Sequence, residues 1–189
     1  MLQSSKIILG IDPGTLQMGF SVIKVTGKTL TLITMDSAKF SSKKTMFQRL
    51  EMILCKMQEL IATHKPNEMA IEAPFFGKNI QSMLKLGRAQ GIAIAVAMTH
   101  GLPVTEYAPK KIKQSVTGNG NADKEQVWKM LQQLLILPET KSSFDASDAL
   151  AVAICHHFQD NPSRKSTSSK SKGWEDFIKN NPDKINYEL

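Results

Sequence analysis

Cysteine and long apolar runs are both scarce in this chain of 189 residues. The two cysteines, Cys55 and Cys155, each lie in an apolar, helix-like stretch, which argues against a secreted disulfide framework and against a zinc site. We expect both to be reduced thiols in the core. No apolar stretch approaches the ~20 residues of a membrane span, and the N-terminus does not have the pattern of a signal peptide. A cytoplasmic protein with no membrane anchor is therefore expected.

Acidic residues are fewer than basic ones, 17 Asp and Glu against 24 Lys and Arg, so the net charge is +7. Hydrophobic residues make up 41% of the chain, enough for the core of one domain of ordinary size. The basic excess is uneven, because six basic residues and only one acid, Glu106, lie between Lys78 and Lys113. Such an excess is typical of a surface that binds a polyanion, although a merely solvated face can also carry it.

Strand-like runs come first and then alternate with helix-like runs, which predicts an α/β fold with a mixed sheet flanked by helices. Strands are predicted for KIILGID, MGFSVIKV, TLTLITMDSAKF, EMAIEAPFF and LPVTEYAP. Helices are predicted over residues 44–63, 79–99, 123–135 and 144–158. The predicted folded domain covers residues 1–159. Residues 160–189 are Ser- and Lys-rich and predict a flexible tail, with a short helical tip near Trp174.

Four carboxylates occur where a charge is not needed for solubility. Asp12 ends the first predicted strand, and Glu72 ends an apolar strand. Asp145 and Asp148 are three residues apart, so they share one face of an otherwise apolar helix. Brought together, these groups would repel one another unless a divalent cation compensated them, and oxygen ligands favour Mg²⁺ or Mn²⁺ over zinc. Such a site can activate water for the hydrolysis of a phosphodiester.

Each carboxylate also has an ordinary structural explanation. The sequence DPG at 12–14 is a common turn, Glu72 can simply end a strand, and Asp145 can cap its helix. Asp148 is harder to explain in this way, because a cap is already available and its neighbours are apolar.

Five motifs occur in order within residues 6–158. They are GIDPG at 10–14, IEAPF at 71–75, KNIQSMLKLG at 78–87, KQSVTGNGNADK at 113–124 and DASDALA at 145–151. Together they resemble the RuvC family of Holliday junction resolvases. The resemblance implies a ribonuclease H-like fold with a five-stranded sheet, a homodimer, and Mg²⁺-dependent symmetric nicking of a four-way DNA junction, with RuvA and RuvB as partners. It places the family's catalytic and metal-binding carboxylates on Asp12, Glu72, Asp145 and Asp148.

The resemblance also implies residues that bind DNA. The family's aromatic residue that stacks on junction bases corresponds to Phe75, with core packing or the neighbouring Phe76 as alternatives. Its functional lysines correspond to Lys113 and Lys124. The basic segment adds five further candidates for DNA contact: Lys78, Lys85, Arg88, Lys110 and Lys111.

Two further features have open interpretations. The stretch at 118–122 resembles a phosphate-approaching loop before a helix, but a plain turn explains it equally well. His156 and His157 lie on the helix of Asp148, where the four carboxylates leave them without a required catalytic role.

Three other functions fit part of the pattern. Asp-x-Gly-Thr at 12–15 also opens the phosphate loop of actin-like sugar kinases, but those enzymes need two such domains and this chain has length for one. A nuclease of the same fold acting on another nucleic acid, such as an RNA–DNA hybrid, shares the carboxylates. A catalytically silent junction-binding module needs only the basic surface. The full set of carboxylates and the paired Phe75 and Phe76 favour the junction nuclease.

Overall fold

The computed structural model describes residues 5–74, 79–137 and 143–160. Its elements are β1 (Ser5–Asp12), β2 (Gln17–Thr26), β3 (Thr29–Lys39), α1 (Met46–His64), β4 (Glu68–Glu72), α2 (Ile80–Thr99), β5 (Val104–Tyr107), α3 (Pro109–Thr117), α4 (Lys124–Leu134) and α5 (Phe144–Asp160). Of the predicted tail, residues 160–189, Asp160 is the last residue of α5 and the rest lies outside the described residues, so the domain boundary stays a prediction.

The five strands form one mixed sheet in the order β3-β2-β1-β4-β5. Strands β1, β2 and β3 are consecutive and antiparallel, and Gly27 adopts φ 60° in the tight turn between β2 and β3. Strands β4 and β5 extend the sheet in parallel to β1, after crossovers that contain α1 and α2. The prediction of a mixed five-stranded sheet flanked by helices is confirmed.

The alternation of side chains along the strands separates two apolar layers. On β1, Leu9 and Ile11 point to the face covered by α1 and α2, where Ile53 of α1 is fully buried. Ile8 points to the opposite face, where it packs with Leu150 of α5. Helices α3 and α4 pack against α5 on that same side. The helix α5 therefore lies between the sheet and an outer layer, and it is buried along most of its length.

The cysteine prediction is half right. Cys155 of α5 is fully buried, as expected. Cys55 is exposed on α1, and the expectation that it belongs to the core is wrong. The inner face of α1 is formed by Ile53, Met57 and Leu60, and Cys55 falls between them on the outer face.

One helix, α3, was not predicted from the apolar pattern. It has only nine residues, of which Ile112 and Val116, four positions apart, are buried. Pro109 begins it, since the fixed φ of proline suits the first helical position. Gly118 ends it with φ 78°, a left-handed conformation that glycine adopts without strain. This short helix packs against α5.

Candidate active site

The four predicted carboxylates meet at one end of the sheet. Asp12 and Glu72 are the last residues of β1 and β4, and these parallel neighbours pair in register, Ile11 with Ile71. The two carboxylates therefore lie side by side, on the sheet face that α5 covers. The first turns of α5 supply the other two carboxylates. Strand ends and a crossing helix thus bring together residues that are more than a hundred positions apart in the sequence.

The N-terminus of α5 is capped by a serine, which leaves the nearby aspartate free. The Oγ atom of Ser143 accepts a hydrogen bond from the backbone N–H of Ala146 at 3.1 Å. This contact satisfies a helix-end donor in the way an N-cap does. Asp145 lies inside the first turn, so the cap explanation for it is wrong.

Two glycines of the sheet let α5 lie unusually close to the strands. A Cβ atom built on Gly19, the β2 partner of Asp12, would lie 2.0 Å from the backbone carbonyl oxygen of Asp145. One built on Gly10 of β1 would lie 2.3 Å from the carbonyl oxygen of Ala149. No side chain fits at either distance. The missing side chains therefore set the separation between Asp12 on the sheet and the aspartates on the helix.

The carboxylates destabilise one another's charged forms. Burial, and then the charges of Glu72, Asp148 and Asp145, raise the pKa of Asp12 to about 8. Burial and the charge of Asp148 raise the pKa of Glu72 to about 7. The pKa of Asp145 is also raised, first by burial and then by Asp148, against an opposing effect of Lys124. Perturbation of this kind, produced by desolvation and like charges in a cleft, is typical of a functional site.

Two lysines face the carboxylates across a cleft of about 420 Å³. The Nζ atom of Lys124 donates to Asp148 Oδ2 at 2.7 Å and lies 5.3 Å from the ring centre of Phe144. Burial lowers the pKa of Lys124, but the hydrogen bond and charge of Asp148 outweigh it and the net shift is upward. Lys113 of α3 lines the same cleft, and its charge lowers the pKa of Glu72. The cleft therefore has an acidic wall and a basic wall.

The acidic wall fits a divalent cation. One oxygen from each of Asp12, Asp145 and Asp148 lies within 4.8 Å of the other two, and Glu72 lines the same cleft. A hard ion with ligand distances of about 2.0–2.6 Å needs oxygens spaced on this scale. Lys113 and Lys124 together offer two positive charges against four carboxylates. The donor set and its uncompensated charge both suit Mg²⁺ or Mn²⁺.

The remaining predicted DNA-binding residues do not all reach this cleft. Lys85 and Arg88 are exposed on α2 and line two separate clefts. The aliphatic part of Lys110 packs near Gly120. Lys111 lies on the side of α3 toward Cys155, where burial raises the pKa of the thiol and the Lys111 charge opposes that shift. Phe75, Phe76 and Lys78 lie outside the described residues.

The loop at 118–122 is explained by a plain turn. Asp123 caps α4 and accepts a hydrogen bond from the backbone N–H of Gln126 at 2.8 Å, while the Gln126 side chain accepts from the Asp123 N–H. The end of α4 that a phosphate would approach already holds a carboxylate. His156 is likewise structural: its ring contacts Tyr107 and Glu68 at the far end of β4 from Glu72.

Two buried polar residues support the site and were not predicted. Gln90 of α2 donates from Nε2 to the backbone carbonyl oxygen of Glu72 at 3.3 Å. Ser21 of β2 donates to the carbonyl oxygen of Ala149 at 2.9 Å, one turn after Asp145. Each is a polar residue in a mostly apolar stretch of the sequence. That pattern could have identified both as buried hydrogen-bonding residues. They fix the backbone segments from which the carboxylates project.

A mixed sheet in this order, with carboxylates at the ends of its neighbouring parallel strands and more on the helix across them, defines the ribonuclease H-like class of protein. Within that class the chain belongs to the RuvC family. The family model described as "Crossover junction endodeoxyribonuclease RuvC" matches residues 8–156. The fold class expected from the five motifs is thereby confirmed.

Individual relatives agree with this assignment. The chain is 50% identical over 185 residues to crossover junction endodeoxyribonuclease RuvC of Christiangramia forsetii, covering 98% of this chain and 95% of the relative. It is 54% identical over 181 residues to the protein of the same name from Cytophaga hutchinsonii, covering 95% and 88%. The structure of T. thermophilus RuvC in complex with a Holliday junction substrate superposes with a TM-score of 0.77 at 32% identity, covering 82% and 94%. In the part of the chain that the structure describes, no helix has the length and apolarity to cross a membrane.

Proposed function

We propose that this protein is a Holliday junction resolvase that hydrolyses one phosphodiester bond in each of two opposing strands of a four-way DNA junction. In each cut a water oxygen bonds to phosphorus and the P–O3′ bond breaks, which leaves a 5′-phosphate and a 3′-hydroxyl. The names of the relatives and the junction complex of T. thermophilus RuvC support the substrate.

The observation that carries the proposal is the cluster of Asp12, Asp145 and Asp148 beside Glu72. Holding carboxylates together in a half-buried cleft, with raised pKa values for Asp12 and Glu72, destabilises the fold. A module that only binds junctions gains nothing from that arrangement, whereas a hydrolase requires it.

Mg²⁺ is the proposed cofactor, with Mn²⁺ able to replace it. When bound, such ions lower the pKa of the attacking water and stabilise charge on the leaving oxygen. The protein holds the ligand oxygens of Asp12, Glu72, Asp145 and Asp148 in place through the strand ends and the glycine contacts with α5. Lys113 and Lys124 on the opposite wall provide positive charge for the phosphate of the bound strand.

Two symmetric cuts require two active sites, and we propose a homodimer formed through α2. The inner face of α2 consists of buried residues such as Ala89, Ala93 and Val96. On the same helix, Ile80 and Leu84 are 65% and 53% exposed. Exposed apolar residues in a row on one helix are typical of an interface.

Two glycines on α2 support the same interface. Gly87 and Gly91 are exposed, one helical turn apart, and a Cβ atom at either would meet nothing within 4 Å. Each costs about 1 kcal/mol of helix stability relative to alanine, and nothing in the single chain requires it. Close approach of a second α2 would explain both.

The remaining contacts follow from the family. Phe75 is proposed to stack on exposed bases at the junction centre, worth about 1–3 kcal/mol per base. Lys78, Lys85, Arg88, Lys110 and Lys111 are proposed to contact the DNA backbone. RuvA and RuvB are the proposed partners in branch migration, and the cytoplasmic location stays a prediction.

The test is an assay with a synthetic four-way junction whose strands are labelled in turn. We expect paired nicks at symmetric positions in Mg²⁺, none in EDTA, and none from Asp148→Asn, which should still bind the junction. Asp36→Asn, at an exposed position of β3, is the matched control and should cut normally. Binding without nicking by the parent protein would identify a silent module instead, and preferential cutting of an RNA–DNA hybrid would identify a different nuclease.

Dimerisation has a separate test in sedimentation experiments. Gly91→Leu should favour the helix and raise the melting temperature of the monomer, yet shift the equilibrium from dimer to monomer. Ala62→Leu, at an exposed position of α1, is the control and should leave the dimer intact. A monomeric parent protein at micromolar concentration, with junction bound, would contradict the proposed dimer.

A further inference from the structure

A second polar cleft, of about 390 Å³, lies beside the loop that follows Asp12. Residues 14–17 of that loop form one side, and Arg49 of α1 with Ser82 and Lys85 of α2 form the other. Asp12 itself points to the α5 face of the sheet, whereas this cleft lies on the α1 and α2 side. The same short loop therefore separates the carboxylate cleft from a second, differently charged one.

The second cleft is positively charged. Its lining includes Arg49 and Lys85 and no acidic residue. The helix α2 contains no Asp or Glu at all, and the positions three and four residues from Arg49 on α1 carry no carboxylate. Within the described parts of the chain, neither Arg49 nor Lys85 forms an ion pair. Both cations are thus available to an external anion.

Arg49 also has an unsatisfied donor. Its Nε atom is buried from solvent and has no hydrogen-bond partner, the one such side-chain atom found among the described residues. Buried donors in folded proteins almost always have an acceptor, because an unpaired one destabilises the fold. Arg49 lines the cleft, so a turn of its side chain toward the cleft would give this N–H an external acceptor, and a guanidinium edge is suited to the two oxygens of a phosphate.

A larger groove on the same side of the sheet shows the contrast. It lies between β3 and α1, and its lysines are balanced by Asp36, Glu51 and Glu59. An anion would be repelled there as much as attracted. The cleft of Arg49 and Lys85 has no such balance, and it adds the hydroxyl of Ser82 as a further donor.

We propose that Arg49 and Lys85 bind a phosphate of the DNA backbone. This phosphate lies on the strand that is cut, beside the phosphate at the cleavage position. The inference rests on the proposed function, because it takes junction DNA as the ligand. Asp12 lines the carboxylate cleft and residues 14–17 line the second cleft, so a strand bound over the carboxylates can continue past this loop to Arg49 and Lys85. Arg49 is a binding residue in this role and takes no part in the hydrolysis.

The test measures junction binding in EDTA as a function of salt for Arg49→Gln, Lys85→Gln and the control Lys28→Gln. Each residue that neutralises a phosphate contributes about 0.9 to the slope of log K against log salt. We expect Arg49→Gln and Lys85→Gln each to lower the slope by about 0.9 and to weaken binding roughly fivefold to tenfold at about 0.1 M salt. Lys28, in the turn at the opposite end of the sheet, loses the same charge and should change neither value.

Ethylation interference identifies the phosphate itself. With the parent protein, ethylating a particular phosphate near the cleavage position should reduce binding, and both variants should lose sensitivity at that one position. Lys85 is exposed, so Lys85→Gln keeps the test valid if Arg49→Gln unfolds. If Lys85→Gln leaves both the salt slope and the interference pattern unchanged, the proposed phosphate site is wrong. It is also wrong if Lys85→Gln changes the slope no more than Lys28→Gln does. A parent protein that does not bind the junction would instead contradict the proposed function.

Discussion

The two ends of β4 each carry a glutamate that points toward α5, and the pKa values of these two glutamates are shifted in opposite directions. At the start of the strand, Glu68 accepts hydrogen bonds from Lys6 and His156, and Lys6 also pairs with Asp160 at the end of α5. Burial raises the pKa of Glu68, but these partners outweigh it and the net shift is downward. At the end of the strand, burial and Asp148 raise the pKa of Glu72 to about 7.

The opposite pKa shifts distinguish two groups of carboxylates. One group stabilises the folded state, and the other destabilises it. Glu68 forms an ion pair with Lys6 and a hydrogen bond with His156, so its charge is stabilised within the protein. The charges of Glu72, Asp12 and Asp145 exceed those of the nearby lysines, so the protein alone does not stabilise them. Groups held in an unfavourable state by a rigid scaffold are typical of active sites.

The largest expected effect comes from exchanging an unpaired carboxylate for an amide. Asp12→Asn should reduce junction nicking at least about a hundredfold, which is about 2.7 kcal/mol in the barrier, because a ligand oxygen and its charge are lost. In EDTA at about pH 8 the same change should raise the melting temperature, because a neutral amide replaces a charge that burial and the neighbouring carboxylates disfavour. Glu68→Gln should do the reverse: it should lower the melting temperature and leave the nicking rate within about twofold. Thermal melts and single-turnover nicking measure both quantities.

Two results would break the distinction between the two groups of carboxylates. One is near-normal nicking by Asp12→Asn in Mg²⁺. The other is a loss of nicking in Glu68→Gln as large as that in Asp12→Asn, with the fold intact by circular dichroism.

A smaller effect should come from the backbone contact that places α5. Gly19→Ala puts a Cβ atom against the carbonyl oxygen of Asp145, so the first turn of α5 must move away from Asp12. Because misplacing reacting groups by about 1 Å can cost up to about a hundredfold in rate, we expect nicking to fall by roughly tenfold or more. Ala62→Leu, which adds side-chain bulk at an exposed position of α1, is the control and should cut at the parent's rate. Normal nicking by Gly19→Ala would show that the glycine does not set the spacing.

The carboxylates could be picked out from the sequence because the apolar residues that make them unusual are their neighbours along the chain. Asp148 stands out among the Ala, Leu and Val residues of its own helix, and Glu72 ends an apolar strand. The role of Gly19 depends on a helix that lies more than a hundred residues later, and no local pattern reveals it. The short helix α3 was missed because two buried residues in nine give little periodicity. Cys55 was misplaced because an apolar run does not show which side of a helix faces inward.

The pH dependence of stability should differ in sign between the two ends of β4. Asp12 and Glu72 have folded-state pKa values of about 8 and about 7, above their unfolded values. Between about pH 4 and pH 8 the folded state therefore binds more protons at these groups than the unfolded state, and their contribution to stability falls as the pH rises. In EDTA, the melting temperature of the parent relative to Asp12→Asn should fall over this range. Mg²⁺ should raise the parent's melting temperature more at about pH 8 than at about pH 5. An equal effect of Mg²⁺ at both pH values would contradict this assignment.

The smallest effect is expected at the paired end, from Asp160→Asn. The hydrogen bond and charge of Lys6 lower the pKa of Asp160, so its carboxylate stabilises the fold above the unfolded pKa of about 4, and that contribution is lost as the pH falls through the lower folded value. Its side chain is 59% exposed, which limits the contribution to about 1 kcal/mol or less, or about 2–4 °C in melting temperature. The difference between parent and variant should shrink toward pH 3 or so and in about 1 M salt, because solvent ions screen an exposed pair. Asp36→Asn, an exposed aspartate without such a pair in the described chain, should show no comparable loss. A loss that persists at high salt would mean that Asp160 contributes by packing at the end of α5 rather than by its charge.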